Sequence, residues 1–522
     1  PTHPDHGPLP LTPVMHELHQ RGGLNALTGR FAQWVTVQVP ADLRQDQLVA
    51  ALQAVVDHHR ILGARLVTEY GEGESGPHLD VPREVRGVSD RVSRVTATGL
   101  DEETLDWTIE DQAHAASERL DPRSGEMLRL VWFDRGPETP GRLLLAIHHL
   151  VTDAVSWQVV LSDLASAWRS TVVGRTPVLA PVTSSFRQYA HLLSSMAYDA
   201  DRLAELDTWV RTLESVEESQ PLLGNRALDS SRDTEGTQRQ LRLSVPSDVT
   251  SALLTTLPDA FNAGVNDVLL AGLAAALDGW RLRRGLAPLP MLLNVESHGR
   301  RELTADTDVS RAVGWFTSMH PVRLDARQAS PDDVRAGGAD AGHLVKHVKE
   351  QLREVPGDGL GYGMLRFLNA ATAPILADLP KPEIGFNYLG RVEPSSPGGG
   401  PGGAAANDWQ LTGSTAMGGD ADPGLPVMHV LETGGFVRER SDGPELVLLL
   451  TWPDRALDEA DVRELGEGWR DMLGGLVAHA SRPDVGGHTP SDLSLVTLTQ
   501  GQIEEIESMF GDDEAQDGAH HG

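Results

Sequence analysis

The decapeptide HHLVTDAVSW, His148 to Trp157, lies where a continuous apolar run gives way to helical spacing. Leu143 to Ile147 has the unbroken apolar character of a strand buried on both faces. From Val155 to Trp168, residues Trp157, Val160, Leu161 and Leu164 recur on one side of a helix. A buried strand running straight into a helix is the grammar of an α/β fold. It sets His149 at the mouth of the strand, where imidazole can act as acid or base near neutral pH. Asp153, four residues further on, falls back on the same side if the turn is helical, where it orients the ring or shapes the loop. Two plainer readings compete. One is a strand-end histidine satisfied by backbone. The other is a zinc site of His148, His149 and Asp153, disfavoured because adjacent strand residues point oppositely.

The alternation extends in both directions. Phe31 to Val39 alternates as a strand, and Asp46 opens a helix with Leu48, Leu52, Val55 and Val56 on one face. A polar helical stretch, Ser185 to Glu218, reads as a connection between two lobes, and the pattern restarts after it. Asn266 to Trp280 is an apolar helix, while Met291 to Val295 and Leu446 to Trp452 read as buried strands. Asp458 to Ala480 closes with a helix carrying Val462, Leu465, Trp469 and Leu473. Ser395 to Asn407 (SSPGGGPGGAAAN) has the composition of a flexible loop, and Gly511 to Gly522 that of a disordered tail.

NVESHGR, Asn294 to Arg300, is a second strand end. A glutamate leaving an apolar strand beside histidine and arginine is a carboxylate whose pKa can be tuned. The bland alternative is a Glu296–Arg300 ion pair that merely closes a loop. Three more motifs are aromatic or glycine-rich: RAVGWFTSMHPV (311–322), PGDGLGYG (356–363) and IGFNYLGR (384–391). Gly359, Gly361 and Gly363 lack the spacing and the strand-to-helix context of a dinucleotide fingerprint. His16-Glu17-Leu18-His19 is one residue short of the HExxH zinc spacing. Asp57-His58-His59-Arg60 reads as capping and packing at the end of a surface helix.

Composition narrows the chemistry. The 522 residues contain no cysteine, so thiolate nucleophiles, disulfides and cysteine-ligated metals are excluded. Lys346, Lys349 and Lys381 are the only lysines, which leaves few places for a pyridoxal Schiff base. The net charge of −31 argues against nucleic acid as a partner. Without residues 503–517 it would still be −24, so the acidity belongs to the body of the chain. No apolar run reaches the length of a membrane span, and the first ten residues do not form a signal peptide, so a cytoplasmic location is expected. Pro1 is not a natural start, which points to a piece of a longer chain.

Taken in order, HHLVTDAVSW, NDVLLAGLAAAL (266–277), NVESHGR, RAVGWFTSMHPV, PGDGLGYG and IGFNYLGR resemble the successive signature motifs of epimerization domains of nonribosomal peptide synthetases, within the condensation-domain superfamily. LTPVMHELHQRGG (11–23) resembles that family's first motif and TPSDLSLVTLTQGQIEEIE (489–507) its exit linker. The resemblance implies an α/β fold of two chloramphenicol-acetyltransferase-like lobes in a V-shaped pseudo-dimer with a central tunnel. The lobes are expected at 8–184 and 225–498, with the helical connection at 185–224 and a linker and acidic tail at 499–522. Carried over residue by residue, His149 and Glu296 match the catalytic pair, and His148, Asp153, Arg300, Asn387 and Tyr388 supporting positions. Asp153 is mainly structural in that superfamily. Ser156, Trp157, Trp315 and Phe316 are expected along the tunnel. Ala154 and Ser297 replace glycines and His320 a tyrosine; the first two are expected to reshape the pocket, and with it substrate range.

The implied reaction is inversion of the α-carbon of an aminoacyl or peptidyl thioester. The alternatives are amide-bond formation between carrier-bound substrates and a catalytically silent docking domain. Glu296 is the expected base for the L form, and His149, as imidazolium, the group that stabilises the enolate or returns the proton. No metal or cofactor of the domain's own is expected; phosphopantetheine arrives on a peptidyl carrier domain immediately upstream. A condensation domain follows downstream, and the domain itself is expected to be a monomer. Because a carrier is itself usually acidic, docking is expected to be weak and salt-tolerant.

Overall fold

The computed structural model describes residues 5–503 apart from 69–75, 86, 215–221, 224–225, 358, 392–407, 414–416, 483–484 and 494–498. The glycine-rich stretch Ser395–Asn407 and the tail Gly511–Gly522 therefore lie outside the described residues. The strands are β1 (Gly7–Pro10), β2 (Ala32–Val39), β3 (Arg65–Val67), β4 (His78–Val81), β5 (Val92–Thr96), β6 (Leu128–Asp134), β7 (Gly141–His148), β8 (Gln238–Val245), β9 (Met291–Ser297), β10 (Ser318–Leu324), β11 (Ile384–Arg391), β12 (Met417–Asp420), β13 (Leu431–Arg440) and β14 (Gly443–Pro453). They form a five-stranded sheet β12-β2-β7-β6-β5, a six-stranded sheet β10-β9-β11-β13-β14-β8, and a small sheet β1-β4-β3. Each large sheet anchors one lobe.

The apolar run 143–147 is explained by its place at the centre of the first sheet, between β2 and β6. Leu143, Leu145 and Ile147 face the helices Gln45–His58 and Ala154–Val172, within the main core of the N-terminal lobe. Leu144 and Ala146 face the helix Glu102–Glu118 together with Leu105, Ile109 and Ala113. A strand covered on both sides needs apolar residues at every position. Asp153 caps the helix that follows β7 by accepting from the Ser156 amide (2.7 Å), which leaves the His149 turn at the C-terminal end of this central strand. In the second lobe the helix Val265–Arg283 is buried on every side between the sheet and the helix Glu459–Ala480.

Two expectations about organisation need correction. The C-terminal lobe is not one continuous span from 225 to 498. β12 pairs with β2 in the N-terminal sheet (Met417 opposite Val35), and Trp409 and Leu411 bind the backbone of the same strand. Val309, Val313, Trp315, Phe316 and Leu425 also pack in the N-terminal core. The physical reason is that the edge of β2 would otherwise expose a row of unpaired amides. The stretch from 185 is helical, at Phe186–Met196, Ala200–Leu203 and Leu206–Leu213. It is not merely a polar connector, because Phe186, Tyr189 and Trp209 are buried to about 1–2% exposure. No single described helix is long and apolar enough to cross a membrane.

Candidate functional site

The N-terminal lobe contributes the end of β7. His148 points into the core, where its Nε2–H donates to the Thr28 carbonyl (3.1 Å) and its Nδ1 accepts from the Leu150 amide (3.3 Å). Burial pushes its pKa down to about 4, so it is a structural prop. His149 faces the other way. Its backbone N–H donates to the Phe31 carbonyl (2.8 Å) and its Nδ1 to the Thr152 carbonyl (2.9 Å), while Nε2 lies 3.1 Å from the Gln33 amide nitrogen. Trp157 fixes this arrangement: its indole N–H, which can only donate, binds Gln33 Oε1 at 3.0 Å. Gln33 must then present its NH₂ to His149, and the imidazole becomes the Nδ1–H tautomer with an accepting Nε2. Phe31 stacks on the ring at 5.1 Å and Trp315 lies at 4.7 Å. Burial in this cage pushes the His149 pKa below its ordinary value. A standing imidazolium, as expected from the sequence, is therefore replaced by neutral imidazole.

Asp153 and Arg300 form a buried seam behind His149. Arg300 Nη2 binds Asp153 Oδ1 (2.8 Å) and Ser156 Oγ (2.9 Å), while its Nη1 binds the Val309 and Ala312 carbonyls. Asp153 Oδ2 accepts from the Phe316 amide at 3.1 Å, and the Arg300 guanidinium lies 4.1 Å from the Phe316 ring centroid. Arg300 thus pairs with Asp153 and not with Glu296, and Asp153 does not touch the imidazole. Gly299 makes the turn possible at φ 65°, since a Cβ there would meet the Phe316 carbonyl oxygen at 1.7 Å. Ser156 and Phe316 belong to this packed seam, Trp157 is buried against Gln33, and only Trp315 of the four expected tunnel residues lines the cavity beside His149.

The C-terminal lobe contributes three adjacent strands, β9, β11 and β13. Glu296 on β9 accepts from Asn387 Nδ2 on β11 at 2.8 Å. Two residues earlier on the same face of β9, Asn294 Nδ2 lies 2.8 Å from His429 Nε2. His429 Nδ1 in turn pairs with Glu432 Oε1 on β13 at 2.6 Å. Gly385 on β11 stands in register between Asn294 and Glu432. A Cβ there would meet Glu432 Oε2 at 2.1 Å, so the missing side chain makes room for the carboxylate. Burial, followed by the Glu432 charge, pushes the Glu296 pKa up to about 7. Burial also pushes Glu432 upward, but His429 and Arg21 outweigh it and hold that carboxyl below its ordinary value.

His149 and Glu296 meet on the wall of a cavity of about 180 Å³, with Phe31, Trp315, Asn387, His429, Glu432, Glu17 and Arg21. This cavity shares Glu17, Arg21, Asn294, Met319, Met428 and His429 with an adjoining chamber of about 590 Å³, whose wall also carries Arg226, Arg366 and Lys381. Tyr388 is absent from both walls and packs half-buried against the core of its own lobe, on the opposite side of β11 from Asn387. Ala154 is exposed at the start of its helix, and Ser297 bonds Ser318 across β9 and β10 (2.8 Å). Neither lines the cavity, so neither reshapes it. Among the described residues the grouping suited to a metal is His58, His59 and Asp163, away from this cavity. There Arg311 already binds Asp163, and His59, expected near the surface, is buried with its Nε2 on the same carboxylate (2.7 Å). Lys349 is buried and bound to both Asp492 oxygens (2.6 and 2.7 Å), which disqualifies it as a Schiff-base lysine.

Sequence reading missed Gln33, Asn294, His429, Glu432 and the Glu17–Arg21 pair. Asn294 and Gln33 carried a signal in the two-residue periodicity of their strands. His429 and Glu432 carried none, because they reach the site only through the parallel pairing of β11 with β13.

A condensation-domain family model matches residues 10–413. A linear gramicidin synthase of Brevibacillus parabrevis is 31% identical over 97% of this chain, which spans only 6% of that protein. The chain spans less than half the length of the curated relatives it matches. Among solved structures, the epimerization domain from the third module of tyrocidine synthetase B superposes with a TM-score of 0.71 at 25% identity, covering 91% of this chain and 98% of that one. The first condensation domain of the CDA synthetase gives 0.59 at 17% identity, covering 92% and 98%, a likeness of fold alone. The two lobes are accordingly chloramphenicol-acetyltransferase-like. The ordered motifs, the paired lobes and the family match together make this chain a member of the condensation-domain family of nonribosomal peptide synthetases.

Proposed function

We propose that this domain inverts the α-carbon of an aminoacyl or peptidyl thioester tethered to the phosphopantetheine arm of a carrier domain. The observation that carries this reading is the meeting of Glu296 and His149, one from each lobe, on the wall of one cavity. A thioester α-proton is a far weaker acid than any side chain, so its removal needs an apposed base. Glu296 takes the α-proton of the L form; the C–H electron pair becomes the Cα–C π bond of an enolate as the carbonyl π pair moves onto the thioester oxygen. A proton is then added to the opposite face from His149 or from a water on its side, giving the D form with atoms and electrons conserved. His149 rests neutral, so it takes up that proton from solvent first; in the reverse direction it is the base directly. Burial lowers the His149 pKa and raises that of Glu296, so each group is biased toward its neutral form in the closed site. Asn387 positions Glu296, and Gln33 positions His149.

The thioester sulfur belongs to the carrier, since this chain has no cysteine. The larger chamber suits the phosphopantetheine arm, because Arg366 and Lys381 on its wall complement a phosphodiester. The carrier lies immediately upstream and a condensation domain downstream. A second reading, amide-bond formation, is compatible with the family model and would use His149 without Glu296. One assay separates the readings: a carrier loaded with an L-aminoacyl thioester is incubated in deuterated water, and α-deuterium and the D:L ratio are measured. Exchange with racemisation, lost in Glu296→Gln, is expected. An amide product formed with an acceptor carrier and no exchange would overturn it in favour of condensation, and neither product would leave a docking domain.

A further inference from the structure

Charges around the cavity do not balance. Arg21 is committed to Glu17 through Nε (3.0 Å) and to the Pro426 carbonyl through Nη1 (2.8 Å). Glu296 spends one oxygen on Asn387, and Glu432 spends Oε1 on His429. Among the described residues Glu432 Oε2 has no hydrogen-bond partner; it lies over the bare backbone of Gly385, one rung from Glu296 and Asn387. The Glu432 side chain is 42% exposed, and that exposure opens onto the cavity it lines. A carboxylate oxygen held rigidly in a half-buried cavity, without a donor, wants a cationic hydrogen-bond partner. Among the described residues Arg21 acts on this carboxylate only through space, its hydrogen bonds going to Glu17 and Pro426, and no lysine or arginine donates to Oε2.

The substrate atom nearest the reacting carbon can supply that partner. In an aminoacyl thioester the α-carbon carries an ammonium group one bond from the proton that Glu296 removes; in a peptidyl thioester the same position is a neutral amide. Resting on the epimerase reading above, we propose that Glu432, fixed by His429 and given room by Gly385, anchors the α-ammonium of the substrate, and that the domain therefore acts on a single carrier-bound amino acid in preference to an N-acylated chain. The ammonium does double duty. It neutralises the unpaired carboxylate, and its inductive pull acidifies the α-proton. Bound beside Glu296, it also favours the ionised, base form of that group.

The test uses the whole domain and a phosphopantetheinylated carrier loaded with L-alanine, L-valine or L-phenylalanine, each as the free amine and as its N-acetyl derivative, with α-deuterium incorporation as readout. The free amine is expected to exchange roughly 10- to 100-fold more efficiently than its N-acetyl form, as loss of one charged hydrogen bond dictates. Glu432→Gln, nearly isosteric, is expected to remove that preference by raising KM for the amine but not for the N-acetyl form; Glu432→Asp, which keeps the charge, should retain part of it. Equal exchange of both forms by the wild type would overturn this assignment alone, as would an equal loss on both in Glu432→Gln. No exchange of either form by the wild type would overturn the epimerase reading and this one with it.

Discussion

The two halves of the cavity solve opposite problems. On the N-terminal side, His149 is enclosed by Phe31 and Trp315, and both ring nitrogens are engaged by neutral groups, Thr152 and Gln33. On the C-terminal side, Glu296 stands among amides and a second carboxylate, on a face with Asn387, Asn294, His429 and Glu432. Burial disfavours the charged form of each, lowering a base and raising an acid. The difference lies in the neighbours. The imidazole side is closed and single-purpose, whereas the carboxylate side holds an unmatched charge that a substrate can complete.

The contrast breaks first at its base. Glu296→Gln is expected to slow α-proton exchange roughly 100- to 10,000-fold, the range of a lost general base. Deuterium incorporation measures this, and a smaller loss would move the chemistry to the histidine side. Asp153→Asn, by stranding Arg300 in its buried seam, is expected to cost about 3–5 kcal/mol, read from urea unfolding. Little change there would mean that the two lobes are held by other contacts.

Subtler changes sharpen the comparison. The exchange rate should rise with pH through about 7, because Glu296 must lose its proton to act as base. Asn387→Ala removes a donor that favours the carboxylate, so the limb should move to higher pH; movement to lower pH would refute that role. Gln33→Leu should reduce exchange by up to about tenfold, the worth of one hydrogen bond, without moving the Glu296 limb. The smallest effect is expected from Tyr388→Phe: a rate within roughly twofold of wild type, because that side chain packs away from the cavity.

Much of this was legible along the chain, because strand and helix periodicities are local. The apolar run 143–147 announced a strand covered on both faces, and its abrupt replacement by helical spacing located His149. The second strand end located Glu296 in the same way. Arg300 shows the limit. From spacing it belonged to Glu296, yet it crosses to Asp153, because a strongly turned Gly299 sends the chain under Phe316. Tyr388 shows another, since the family pattern marked it while the pleat of β11 turns it from the cavity that Asn387 enters.

By itself, then, the sequence determined the family, the α/β alternation, the two strand-end motifs and the exclusion of thiol chemistry, all properties of local order and composition. Only the tertiary structure decided that β12 closes the N-terminal sheet, that Trp157 and Gln33 set the His149 tautomer, and that His429 and Glu432 stand beside Glu296. These depend on strand pairing between segments far apart in the chain, and a one-dimensional pattern carries no record of which strand lies next to which.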